Sequence, residues 1–430
     1  MRFVSSFDSE ETRPFRAGGN RRFFVFGCVT TSPTKRFSYL KVRHTFRLYP
    51  STRQKRALGK TFGCVRYVYN RELRLRKDSY AKDKTKVSYG QTSAALTRWK
   101  QEPGRKWLKE PSCVPLQQSL RHLQTAYRNF FENRAAHPRF KSKHGEQGAE
   151  FTRSAFRWDG KQLNLTLAKV GYLRIRWSRQ FASAPSTVTI TKDCAGRYFA
   201  SLCLDETVEA LPRTGASVGI DLGINRLATL SNGERLANPR HLGERLDKLA
   251  RLQRILSRRT KGSGRWRRQR LRVARLHARI ADGRRDHLAK LTTDLVRRFD
   301  TICIEDLDVR GMMERRRLAR SISDVGMYEF RRMLTYKCSW YGRELRLVDR
   351  FFPSSKSCSN CGHVVGDLPL STLTWTCPQC AACHDRDENE AKNILAAGHA
   401  VTARGGRARP QATKVTRGGA WRNVNQPALP

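Results

Sequence analysis

The sequence predicts an α/β domain with an inserted four-cysteine ribbon, preceded by a small β unit that carries helices. Three observations point there. Carboxylates follow two short apolar runs, at Asp221 and Glu305, and recur where a late helix starts, at Asp385 and Asp387. Four cysteines form two Cys-x2-Cys pairs, Cys358 with Cys361 and Cys377 with Cys380. Residues 150–210 carry short alternating runs separated by turn residues, the pattern of an antiparallel sheet or barrel.

The elements follow in order. Residues 1–39 show no sustained period and read as an unstructured amino-terminal extension. Lys41–Tyr49 is strand-like and stops at Pro50, after which Ser51 and Thr52 can cap a helix. Helical spacing then runs to about Arg134, through Leu58, Phe62, Val65, Val68 and Tyr69, and later Leu116, Leu120 and Leu123. Phe156–Trp158, Leu163–Leu167, Tyr172–Trp177, Thr187–Ile190 and Tyr198–Leu204 read as strands. If Lys41–Tyr49 joins them, the helices become an insertion in that sheet.

From Ser217 the pattern changes. Val218–Asp221 is a short apolar strand, and Arg226–Leu230 with Asn232-Gly233 suggests a hairpin. Two basic helices follow, the first with Leu242, Leu246, Leu249, Leu252 and Leu256 on one stripe, the second with Leu276, Ile280, Leu288, Leu291 and Leu295. Gly262-Ser263-Gly264 separates them. A strand at Thr301–Ile304, a helix around Tyr328–Trp340 and a strand at Leu345–Val348 complete the domain. The Gly-, Pro- and Arg-rich tail reads as disordered.

Charge sets the partner class. Lys plus Arg number 85 and Asp plus Glu 37, a net charge of +48. Such an excess repels itself in a compact fold unless a polyanion neutralises it, which is the electrostatic signature of a nucleic-acid binder. No run reaches the ~18 apolar residues of a membrane span, and Phe23–Val29 is too short for the core of a signal peptide. The expected place is the cytoplasm.

Of the twelve cysteines, eight are scattered: Cys28, Cys64, Cys113, Cys194, Cys203, Cys303, Cys338 and Cys383. The other four have the spacing of two zinc knuckles, and four thiolates close a tetrahedral site with no open position. That makes the expected zinc structural. Cys383 and His384 stand just beyond the set.

The carboxylates carry the chemistry. Two-metal phosphodiester cleavage needs a fixed cluster of acids to hold the ions. An ionised Asp221 beside Val218-Gly219-Ile220 is costly unless paired or metal-bound. Glu305 ends the run Ile302-Cys303-Ile304 and shares a sheet face with Cys303, whereas Asp306 points the other way. Either Asp385 or Asp387 can cap the last helix, and local chemistry does not choose between them. Acids on a first strand, a later central strand and a late helix form the RNase H-like arrangement.

These segments resemble a known family. Gly219-Ile220-Asp221-Leu222-Gly223, Ile304-Glu305-Asp306-Leu307 and Asp385-Arg386-Asp387-Glu388-Asn389 are similar to the three RuvC motifs of the TnpB (OrfB) family of bacterial insertion sequences. Phe352-Pro353-Ser354-Ser355-Lys356-Ser357-Cys358 resembles the start of its zinc finger, and Phe46-Arg47-Leu48-Tyr49-Pro50 its amino-terminal start. Arg284-Arg285-Asp286-His287 is also similar. The likeness runs from about residue 40 to 400.

The resemblance implies an RNA-guided DNA endonuclease, related to compact type V CRISPR effectors. Its guide RNA derives from the element's end, and it cuts double-stranded target DNA beside a short motif. Asp221, Glu305 and Asp387 are then the catalytic acids and hold Mg²⁺, with Mn²⁺ as a substitute; Cys358, Cys361, Cys377 and Cys380 hold Zn²⁺. Arg284, Arg285 and Lys356 are candidate nucleic-acid contacts.

The implied domains are a wedge β-barrel at 40–50 and 150–212, a helical recognition insertion at 51–149, and a RuvC core at 213–350 and 384–400. A zinc ribbon fills 351–383, and a basic tail covers 401–430. One departure from the family pattern is Glu390, where Ala is usual. The alternatives are a strand-transfer transposase and a non-cleaving RNA-guided binder.

Overall fold

The computed structural model describes residues 31–32, 35–181, 183–314, 316–369 and 371–403. Most of the expected amino-terminal extension and the basic tail from 404 onward lie outside the described residues. The chain forms two compact units, one built on Phe37–Val208 and one on Glu209 onward.

Thr31–Arg36 group with the second unit: β1 (Thr31–Ser32) pairs there with the start of β2 (Lys35–Leu48), so the strand begins before the expected Lys41, and from Phe37 the strand belongs to the first unit. Ser51 caps α1 (Thr52–Asp83) in a reciprocal box with Gln54, and Ser88 with Gln91 does the same for α2 (Tyr89–Gln101). After α3 (Cys113–Phe131) come β3 (Gln147–Thr152), β4 (Phe156–Asp159), β5 (Asn164–Leu167), β6 (Gly171–Tyr172), β7 (Ile175–Arg176), β8 (Thr187–Lys192) and β9 (Tyr198–Glu209). The main sheet runs β1-β2-β9-β8-β3, with β7 also on β2; β4, β5 and β6 form a separate small sheet. The helices are therefore inserted between strands of one sheet.

The expected barrel is not closed. Among the described residues the sheet ends at β3, which pairs only with β8. Closure removes sheet edges and buries one face. Here the face is covered instead by helices. Leu58, Phe62 and Val65 of α1, Leu96 and Trp99 of α2, and Leu116 and Leu120 of α3 share a core with Phe46, Phe151, Val188, Ile190 and Leu202 of the strands.

The second unit holds β10 (Ser217–Asp221), β11 (Arg226–Leu230), β12 (Arg235–Ala237), α4 (Leu246–Ser257), α5 (Gly264–Arg298) and β13 (Thr301–Glu305). Then follow α6 (Val309–Glu314), α7 (Arg316–Val325), α8 (Met327–Tyr341) and β14 (Glu344–Val348). The ribbon strands β15 (Thr374–Thr376) and β16 (Cys383–Asp385) lead directly into α9 (Arg386–Ala403). The sheet order is β12-β11-β10-β13-β14. Strands β10, β11 and β12 are an antiparallel meander, and β13 and β14 run parallel to β10. That order and polarity is the RNase H-like arrangement expected from the acids.

Period-2 alternation splits the sheet into two faces. Val218, Ile220, Ile302 and Ile304 pack with Leu288 and Leu295 of α5 and Phe330 and Leu334 of α8. Gly219 and Cys303 point to the opposite face, where α9 lies. A Cβ on Gly219 would sit 2.7 Å from the Leu395 backbone nitrogen, and one on Gly398 2.9 Å from the Cys303 Cβ. Two glycines thus let α9 lie directly on β10 and β13.

Candidate active site

Register brings the first two acids together. Ile220 is paired with Ile304 across parallel strands, so Asp221 and Glu305 are the next residues on neighbouring strand ends. Each has the parity of Gly219 and Cys303, so both face α9. Along α9, Asp387, Glu390, Ala391, Ile394 and Gly398 recur at helical spacing on the face toward the sheet.

The result is a cluster of four carboxylates. Burial, then the charges of Glu390, Asp387 and Glu305, hold the Asp221 carboxyl well above its ordinary range. Burial raises Glu305, while the hydrogen bond from Ser354 opposes it. Burial and the Glu305 charge push Glu390 up to about 7. Desolvation and like charges oppose ionisation of these acids, and a counter-cation relieves both.

Structure separates the two late aspartates. Asp385 accepts a hydrogen bond from the Glu388 amide at 3.1 Å and one from Arg235 at 2.8 Å. It caps α9. Asp387, inside the first turn, is left to the cluster, with the Arg226 guanidinium 3.7 Å away. Asp306 projects oppositely and pairs with Arg331 and Arg350.

Sequence reasoning missed Ser354. Its buried hydroxyl donates to Glu305 at 2.5 Å and lies 3.2 Å from Glu390. Two asparagines of α9 hold that loop in place. Asn393 donates to the Ser354 carbonyl at 2.8 Å and the Ser357 carbonyl at 2.6 Å. Asn389 donates to the Ser357 carbonyl at 2.7 Å and accepts from the Ser359 amide at 2.8 Å. The only local hint was that Asn389 and Asn393 recur at i and i+4, which places them on one helix face.

The same loop opens the ribbon. Cys358, Cys361, Cys377 and Cys380 have sulfur atoms all within 4.8 Å of one another, close enough to hold a metal ion. The two knuckles repeat one geometry. Cys358 and Cys377 each accept an amide from the residue four positions on, Gly362 and Ala381. Both those residues have positive φ, 78° and 57°, a turn that suits glycine better than alanine. His384 Nε2 approaches Cys358 Sγ to 3.0 Å, at the margin of the set.

The basic candidates have partners within the fold. Arg284 donates to the Ser323 carbonyl at 2.9 Å, Arg285 to Glu329 at 3.4 Å, and Lys356 to the Gly366 carbonyl at 2.8 Å. No described helix is long and apolar enough to cross a membrane.

Comparison with known proteins decides the family. A protein of Streptomyces pristinaespiralis is 52% identical over 370 residues, covering 85% of this chain and 91% of that protein; it is named "Putative RNA-guided DNA endonuclease". The chain belongs to the TnpB (OrfB) family. A member from Escherichia coli K12, "Putative RNA-guided DNA endonuclease InsQ", is 37% identical, with 84% of this chain and 93% of that one aligned. Residues 201–316 match the OrfB family model described as "Probable transposase", and 328–394 one described as "Cas12f1-like, TNB domain". Residues 40–85 match a "Helix-turn-helix domain" model, yet fold here as most of strand β2 and the single helix α1. The fold is similar to that in the "Cryo-EM structure of the Cas12f1-sgRNA-target DNA complex", with a TM-score of 0.51 at 14% identity, covering 78% of this chain and 81% of that one.

Proposed function

We propose that this TnpB-family chain is an RNA-guided DNA endonuclease of a bacterial transposable element, hydrolysing phosphodiesters at the Asp221–Glu305–Asp387 cluster. The observation that carries the reading is the convergence of half-buried carboxylates in a chain of net charge +48. A cluster in which burial and like charge oppose ionisation is suited to a divalent cation, and Mg²⁺ takes such hard oxygen ligands. When bound, Mg²⁺ would supply an activated water and stabilise the leaving oxygen. Asp221, Glu305 and Asp387 would hold it. Ser354 keeps the Glu305 carboxylate oriented, and Arg226 offsets the charge of Asp387. Glu390 adds a fourth acid at the same place.

The cysteine cluster suits Zn²⁺. Tetrahedral thiolate coordination at ~2.3 Å places sulfurs about 3.8 Å apart, and two of the sulfur pairs here are 3.6 Å apart. The ion would fix the loop that presents Ser354. The names of the relatives support a guide RNA and target DNA as partners. Residues 40–50 and 150–212 with the helices at 51–149 would then grip the guide and its duplex through the backbone.

The test is cleavage of a plasmid library with randomised flanks, by protein co-expressed with the RNA of its element's end. Breaks that follow the guide and vanish in Asp221→Ala are expected. Strand-transfer products would favour the transposase reading, and tight RNA binding without breaks the non-cleaving binder.

A further inference from the structure

We propose that the tip of the α4–α5 hairpin is a phosphate-binding site, taking a backbone phosphate of a nucleic-acid strand between Arg259, Arg265, Arg268 and Arg272. These four residues and Gln269 line a cavity of about 230 Å³. Arg265, Arg268 and Arg272 stand at i, i+3 and i+7, one face of α5. Arg259 comes from the turn just beyond α4.

The floor is rigid. Gln269 is 2% exposed and donates to the Leu252 carbonyl at 2.9 Å, tying α5 to α4. Leu249, Leu276 and Ile280 pack the two helices together below it. The backbone that carries the arginines is therefore held in a fixed frame.

Nothing among the described residues neutralises them. There is no Asp or Glu from Lys248 to Ala281. None of the four guanidiniums has an ion pair among the described residues. The Arg259 Nε is buried with no hydrogen-bond partner among the described residues. Like charges at helical neighbours repel, and a desolvated donor without an acceptor is destabilising. An anion with several acceptor oxygens relieves both. Phosphate matches the guanidinium fork and can accept from more than one arginine at once.

The site rests on the nuclease reading only in that its phosphate belongs to the guide or target strand. The full chain would be titrated with single-stranded RNA and with duplex DNA of unrelated sequence, over a range of salt. The variants are the pair Arg268→Gln with Arg272→Gln, the same pair to Lys, and a control pair Arg251→Gln with Arg254→Gln on α4. The Gln pair is expected to weaken binding about tenfold on any sequence, and to lower the salt slope by about 1–2. The Lys pair keeps the charge but loses the fork, and should fall between. Equal losses from the control pair would mean net charge alone acts, and would overturn the site. Unchanged binding, with a thermal shift by tripolyphosphate that the Gln pair abolishes, would instead assign a free polyphosphate and overturn the strand assignment. Guided cleavage is read on the same preparations. If it persists and still depends on Asp221 while the Gln pair binds normally, only this site fails.

Discussion

Replacing Glu390 by Gln should stabilise the metal-free protein, and only at neutral to alkaline pH. Burial and Glu305 hold the Glu390 carboxyl at about 7 in the fold, against an ordinary 4.5. The native state thus binds this proton more tightly than the unfolded chain. Below about 4.5 both states are protonated and nothing is lost. Stability then falls as pH rises to about 7 and stays level above it. The separation is worth roughly 3 kcal/mol at about 1.4 kcal/mol per decade. The Glu390→Gln amide keeps the shape of the carboxyl and can still meet Ser354, but carries no charge. In chelator at about pH 8, urea unfolding should show the variant about 2–3 kcal/mol more stable, a midpoint rise of roughly 5–10 °C by heat. At about pH 5 the gain should shrink below ~1 kcal/mol. Saturating Mg²⁺ should narrow the gap at about pH 8, because a cation favours the ionised cluster. A gain of equal size at both pH values would show that packing, not ionisation, sets the effect, and would sink the account of the acid cluster.

Other outcomes follow from the same geometry. Ser354→Ala removes the hydroxyl on Glu305, a charge-assisted bond of about 1.5–3 kcal/mol; Mn²⁺ affinity measured by calorimetry should fall roughly tenfold, and its onset should move to higher pH. Gly219→Ala drives a Cβ into the backbone of α9, so thermal unfolding should show a loss of about 3 kcal/mol or more; an unchanged midpoint would mean that α9 does not lie on β10. Cys377→Ser, or stripping with a strong chelator, should expose residues 351–383 to limited proteolysis and weaken Mn²⁺ binding as Ser354 loses its support. Asp385→Ala should cost about 1 kcal/mol of stability through lost capping while leaving cleavage in place, unlike Asp387→Ala.

The residues settled some matters alone, because the chemistry is local. Two cysteines with two residues between them can share an ion whatever surrounds them, so the ribbon was legible from spacing. Acids at the ends of apolar runs were legible too, since a charge beside a buried strand demands a partner. Ser51 announced a helix start, and alternation placed Glu305 and Asp306 on opposite faces. Other matters waited for the fold. Alternation says which face a residue takes but not which strand lies beside it, so an open sheet under helices was read as a barrel. Asp385 and Asp387 are equivalent caps by local chemistry; the resemblance pointed to Asp387, and the seat of α9 on Gly219 and Gly398 gives one to the helix end and the other to the cluster. Ser354 stands 49 positions from Glu305. No periodicity links them; they meet because Asn389 and Asn393 hold the ribbon's first loop over the ends of two parallel strands, a contact that exists only once the whole unit has packed.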